Sequence, residues 1–166
     1  MVKMSDDVGQ SISIPEAGEG KRGADGYLGY LLRQASAAAR LALEHTLEDL
    51  QVTQPQFLVM TLINAYPGSS GADLARLATV TPQTMSTIVA NLERQGRLTR
   101  LANPDHARTQ RLELTSEGKT LLMECRNRVR SNESRLRASL SADEEQIVRR
   151  WLVDVAVQHL RPDPEP

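Results

Sequence analysis

The stretch from Ser70 to Gly96 constrains this chain most. Ser70-Gly-Ala-Asp73 opens a short segment that is apolar at Leu74, Leu77 and Ala78, and only three residues later Thr81-Pro82 begins another. Proline suits the first helical position because the amide it lacks would be unpaired there in any case. The second segment carries Met85, Ile88, Val89 and Leu92 along one side and stops at Gly96, a residue suited to the left-handed position past a helix end. Two short helices meeting at a tight turn form a helix-turn-helix. The runs Leu98-Thr-Arg-Leu-Ala102 and Thr109-Gln-Arg-Leu-Glu-Leu114 follow at once, flanking the turn-forming Asn103-Pro104-Asp105, so a hairpin with a long polar tip is expected. Together these elements predict a winged helix-turn-helix, whose second helix suits a major groove and whose hairpin tip suits the adjacent minor groove.

The flanking sequence predicts helices. Tyr27 to about Leu50 places Leu28, Leu31, Leu32, Ala35, Ala39, Leu43 and Leu47 at three- and four-residue spacing. Thr53-Gln-Pro-Gln56 has the form of a capping box and opens a helix to Ala65. A long helix is expected from Thr115 to about Leu140, with Leu122, Cys125, Val129 and Leu136 in heptad-like register, and Ser141-Ala-Asp-Glu144 caps a last one to Leu160. The prolines of 161–166 end it. The fold class expected is mainly α: a winged helix-turn-helix over 51–115, a helical dimerisation region over 26–50 and 116–160, a flexible tail over 1–25 and a short tail over 161–166. That first tail mixes Gly, Ser, Pro and acids with few apolar residues.

Charge placement is more informative than total charge, which is −1. Between 76 and 111 stand Arg76, Arg94, Arg97, Arg100, Arg108 and Arg111, opposed only by Glu93 and Asp105. Arginine's planar fork fits phosphate oxygens and a narrow minor groove. On the second helix, Thr81, Gln83, Thr84, Ser86, Thr87 and Asn91 are the polar groups left for base edges and phosphates, Gln83 first among them. On the hairpin the expected contacts are Arg100, Asp105, His106, Arg108 and Arg111. Double-stranded DNA is the expected partner.

The motifs Leu74-Ala-Arg-Leu-Ala78, Met85-Ser-Thr-Ile-Val-Ala-Asn-Leu-Glu-Arg-Gln-Gly96, Pro104-Asp-His-Ala-Arg108 and Leu112-Glu-Leu-Thr-Ser-Glu-Gly118 resemble the MarR family of transcription regulators, over roughly residues 27 to 160. The resemblance implies that Asp105 and Arg108 pair as the family's wing D-x-x-R motif, with the arginine entering the minor groove. It also implies that Arg100 stands at the base of the wing. Thr87 and Asn91 depart from the basic or longer side chains that many relatives carry on the recognition helix, which leaves the bases read undetermined.

A heptad-like strip on helices too long to lie over a small winged unit asks for a partner helix, so a homodimer on a pseudo-palindromic operator is expected. Leu28, Leu32, Leu136, Trp151 and Val155 are the interface candidates. The resemblance further implies a repressor released by a small aromatic or lipophilic effector; Ser36, Arg40, Phe57 and Met60 are candidates to line its cleft, with Arg40 as anion partner. The lone Cys125 lies on an apolar strip and is expected to pack rather than react. His45, His106 and His159 show no metal-ligand spacing, and no catalytic constellation appears, so no metal, cofactor or enzymatic activity is expected. No apolar run spans a membrane and no leader pattern is present, which points to the cytoplasm. A helical protein-interaction module whose winged helix does not bind DNA is the alternative.

Overall fold

The computed structural model describes residues 13–102 and 110–160. The order is α1 (Leu28–Leu47), α2 (Gln54–Ala65), α3 (Gly71–Leu77), α4 (Pro82–Arg94), β1 (Leu98–Ala102), β2 (Gln110–Leu114), α5 (Ser116–Leu136) and α6 (Ala142–Leu160), with 3-10 turns at Gly20–Arg22 and Glu48–Leu50. The chain divides into two compact units, residues 1–39 and 40–166.

In the first unit, residues expected to form a flexible tail fold back on themselves from residue 15 onward. The Arg22 guanidinium donates to the Pro15 carbonyl at 2.7 Å and to Gln34 Oε1 at 3.1 Å. A side chain at Gly26 would lie 2.4 Å from the Lys21 carbonyl, so glycine permits this close approach. Residues 1–12 of the expected tail lie outside the described residues.

In the second unit, helix starts follow local chemistry. Thr53 accepts from the Gln56 amide while Gln56 Oε1 accepts from the Thr53 amide at 3.1 Å, and Ser70 with Asp73 repeats the same reciprocal box. Thr81 and Thr115 cap α4 and α5 through Thr84 and Gly118, and Ser141 with Glu144 closes the start of α6. Each such cap satisfies amides that a helix start leaves unpaired, contributing about 1 kcal/mol. Gly96 adopts φ +69, as its place past α4 predicts.

The core gathers one side of every element from the end of α1 to α5. Leu47, Val59, Met60, Leu74, Met85, Val89, Leu92, Leu112, Leu122 and Cys125 are all nearly or fully enclosed. The two strands pair antiparallel with Leu98 opposite Leu114 and Arg100 opposite Leu112, so the leucines share the core face and Arg100 extends that face beyond the apolar part. The Leu112 amide donates to the Ser69 carbonyl at 3.2 Å, which fastens the wing to the turn before α3. At the foot of α5, a Cβ on Gly118 would lie 2.0 Å from the Arg97 carbonyl.

The fifth helix ends at Leu136, short of the expected Leu140. The Ala138 and Leu140 amides instead close tight turns onto Arg135 and Arg137, because Ser141 must leave helical geometry to cap α6. Farther back, Asn132 Nδ2 donates to the Ala42 carbonyl and to Thr46 Oγ1, and Arg128 meets Asp49 at 3.2 Å. No helix among the described residues is long and apolar enough to cross a membrane.

Candidate nucleic-acid interface

The amphipathic division of α4 sets the face it leaves free. Met85, Val89 and Leu92 are buried, so Gln83, Thr84, Ser86 and Thr87 are exposed and Asn91 is half-buried. Several of these groups already serve the helix. Thr81 Oγ1 accepts from the Thr84 amide at 3.1 Å and lies 2.9 Å from Thr84 Oγ1, and the Thr87 hydroxyl donates to the Gln83 carbonyl. Asn91 Oδ1 accepts from the Arg94 guanidinium. Among the described residues the Gln83 amide and the Ser86 hydroxyl are left with no intramolecular partner, so their donors and acceptors face outward uncommitted.

The arginines are less free than the sequence suggests. Arg76 pairs with Asp73, and Arg100 Nε donates to Glu93 Oε2 at 3.0 Å. Arg111 Nε is buried 3.3 Å from Glu113 Oε1, an ion contact without hydrogen-bond alignment. Arg97 donates to the Gln51 carbonyl. Glu93 reaches Arg100 across seven positions and a turn, a pairing no local pattern signals, whereas strand alternation puts Glu113, two residues from Arg111, on the same face. Asp105, His106 and Arg108, the expected wing contacts, lie outside the described residues. Asp73 is held below the usual carboxylate range first by the Ser70 hydroxyl, then by the Ser70 amide and Arg76.

The residues proposed to line an effector cleft are placed unequally. Met60 is 0 % exposed, a core residue enclosed on all sides, and Phe57 packs partly buried against the same core. Arg40 is exposed and pairs with Glu44 at 2.8 Å; Ser36 is exposed in the first unit. A half-open cavity of about 170 Å³ that sequence did not indicate lies between the starts of α3 and α4 and the hairpin, lined by Gly71, Pro82, Met85, Ser86, Val89 and Arg100 among others.

Of the interface candidates, Leu136 is 59 % and Trp151 38 % exposed, Leu28 is exposed, and Leu32 and Val155 are half-buried. The described part of α6 buries no residue, and Ile147, Val148 and Leu152 are exposed beside Trp151. Cys125 is fully enclosed, and burial first, with Glu124 second, pushes its thiol pKa up.

A capped helix with an uncommitted polar face, a tight turn before it and a hairpin fastened behind it define a winged helix-turn-helix protein. This chain belongs to the MarR family. The MarR family model matches residues 52–109. The HTH-type transcriptional repressor Rv2887 of Mycobacterium tuberculosis is 35% identical over 128 residues, 77% of this chain and 92% of that protein. Its crystal structure in complex with DNA superposes with a TM-score of 0.64 at 33% identity, covering 79% of this chain and 98% of that one. The complex of the same mycobacterial protein with salicylic acid gives 0.63 at 34% identity, over 80% and 98%.

Proposed function

We propose that this chain is a cytoplasmic transcription repressor, and not an enzyme, which binds a pseudo-palindromic operator as a homodimer. The observation that carries this reading is the outward face of α4, where Gln83 and Ser86 stand uncommitted at the start of a helix held rigidly by its cap. Gln83 can address an adenine edge with both halves of its amide. Thr81, Thr84, Ser86, Thr87 and Asn91 supply shorter contacts to phosphates and bases, and Arg100, Asp105, His106, Arg108 and Arg111 form the wing's share. The relative's complex with DNA supports DNA as the partner.

Dimerisation through α1, α5 and α6 follows from exposed apolar surface. A contiguous row of large apolar side chains on a helix that buries nothing is unstable in water without a partner, and a second copy supplies one. Leu28, Leu32, Leu136, Trp151 and Val155 belong to this region, which comprises residues 26–50 and 116–160 beside the winged unit of 51–115.

The effector is a small aromatic or lipophilic acid, a reading supported by the relative's complex with salicylic acid. The cavity between α3, α4 and the hairpin is a second candidate beside the set Ser36, Arg40, Phe57 and Met60, in which Met60 is enclosed and Arg40 pairs with Glu44. At about 170 Å³ that cavity is smaller than the ~300 Å³ typical of drug-sized sites and suits a single ring. Fluorescence anisotropy against a random duplex and the DNA upstream of the chain's own gene, across a salt series, tests the function. Binding tighter upstream by ~10³, with a steep salt slope, is expected for a specific autoregulator. Absence of DNA binding at low salt would sink it.

A further inference from the structure

The recognition helix ends in a cluster of directional bonds, whereas its start is held by the Thr81 cap and by the buried Met85 and Val89. Its N-terminal half, from Pro82 through Val89, borders the cavity. Around its C-terminal end directional bonds accumulate. The Thr115 hydroxyl donates to the Gly96 carbonyl at 2.7 Å, the Thr115 amide donates to the Arg97 carbonyl at 3.2 Å, and Arg97 donates to Gln51. These three hold the chain after the left-handed Gly96. A fourth bond holds α4's own cap residue: Gln56 Nε2 donates to Gln95 Oε1 at 3.3 Å.

Gln56 is 7 % exposed, the one polar side chain in the buried set among the described residues. Both halves of its amide are used, since Oε1 accepts from the Thr53 amide and closes the cap of α2. One side chain thus joins the start of α2 to the end of α4. The packing of Met85, Val89 and Leu92 sets the crossing angle of α4 only to within the scatter of such packings, and a hydrogen bond, which weakens steeply off axis, narrows it. From Gln95 to Gln83 is twelve residues, ~18 Å of helix, so a tilt of about 3° at the clasp displaces Gln83 by ~1 Å. That is enough to spoil a base contact.

We propose that Gln56 is a specificity-determining positioning residue, which sets the tilt of α4 through Gln95 without touching DNA. The proposal rests on the DNA-binding reading above. The capping box accounts for the Oε1 half of this amide, and the clasp accounts for the Nε2 half.

The test pairs two double variants of the full chain. Gln56→Glu with Gln95→Glu opposes two carboxylates across the clasp, and Gln56→Glu with Gln95→Lys rebuilds it as an ion pair. Glutamate keeps the capping box of α2 in both. The readouts are melting temperature and the affinity ratio between a duplex selected from a random pool on the wild-type protein and a scrambled duplex. Added charge shifts both affinities alike and cancels in the ratio. The opposed pair is expected to lose about tenfold or more in the ratio and to melt lower, because it places an unpaired charge at the nearly buried position 56, and the rebuilt pair to recover most of both. An unchanged ratio in the opposed pair, or a loss that the rebuilt pair leaves unrepaired, overturns the clasp. Should the opposed pair not fold, Gln95→Met, which spares the core, carries the same expectation for the ratio. If the wild-type protein selects no duplex at all, the DNA-binding reading fails first and the clasp with it.

Discussion

Glu93, on the last turn of α4, accepts a hydrogen bond from Arg100 Nε of β1 at 3.0 Å, joining the recognition helix to the base of the wing. Both side chains are more than a third exposed or close to it, so solvent screens the pair and it adds little to stability. Its larger effect is on charge, since it neutralises an arginine at the proposed DNA face. Glu93→Gln is expected to raise affinity for random duplex DNA several-fold and steepen the salt slope by up to ~1, with melting temperature nearly unchanged. Weaker random binding in the variant would show that the pair holds Arg100 in a binding pose instead.

Thr79, in the turn between α3 and α4, has φ 55, the left-handed region that a β-branched side chain tolerates poorly. Relief of that strain is worth about 1–2 kcal/mol, and glycine returns about 0.5–1 kcal/mol of it through the freer unfolded chain. Thr79→Gly is therefore expected to stabilise by roughly 1 kcal/mol or less, visible as a raised denaturation midpoint. A lowered midpoint would mean that the Thr79 side chain makes contacts outweighing the strain.

Acid should weaken the start of α3 in a defined direction. Asp73 titrates below the usual carboxylate range because the Ser70 hydroxyl and amide and Arg76 favour its charged form. A native pKa below the unfolded one contributes stability that is complete above the unfolded value and lost as pH falls through the native value. The difference in denaturation midpoint between wild type and Asp73→Asn is expected to hold steady at neutral pH and shrink once pH drops below the ordinary carboxylate range. A difference that grows on acidification would refute the assignment.

What was legible in the sequence was mostly local. Thr53, Ser70, Thr81, Thr115 and Ser141 announce helix starts because a cap needs one side chain and an amide three residues on. Gly96 announces an end for equally local reasons. For Gln56 the sequence signals only half of a capping box, since its second partner stands 39 positions away and no periodicity encodes such a pairing. For Met60 an apolar spacing shows that the residue turns inward, not whether the space it meets is an open cleft or the closed core it occupies. The arginine excess over 76–111 was visible, but the Glu93–Arg100 pairing that reduces it depends on how the strand leaves the turn.

The last prediction concerns α6, whose described residues include none that is buried in the single chain. Trp151 sits there 38 % exposed, in the row with Val148 and Val155. A buried aromatic anchor is the usual centre of an interface, and truncating one costs 2 kcal/mol or more, on the order of a thirtyfold weaker association. Trp151→Glu goes further by placing a charge where apolar surface must close. Sedimentation is expected to show a dimer for wild type and a monomer for the variant at micromolar concentration. The core from Leu47 to Cys125 does not include Trp151, so the winged unit should keep its helical signal. Operator affinity should fall far more than random-duplex affinity, because two half-sites no longer bind as one ligand. A variant that remains dimeric would place the interface elsewhere and leave the apolar row of α6 without its proposed occupant.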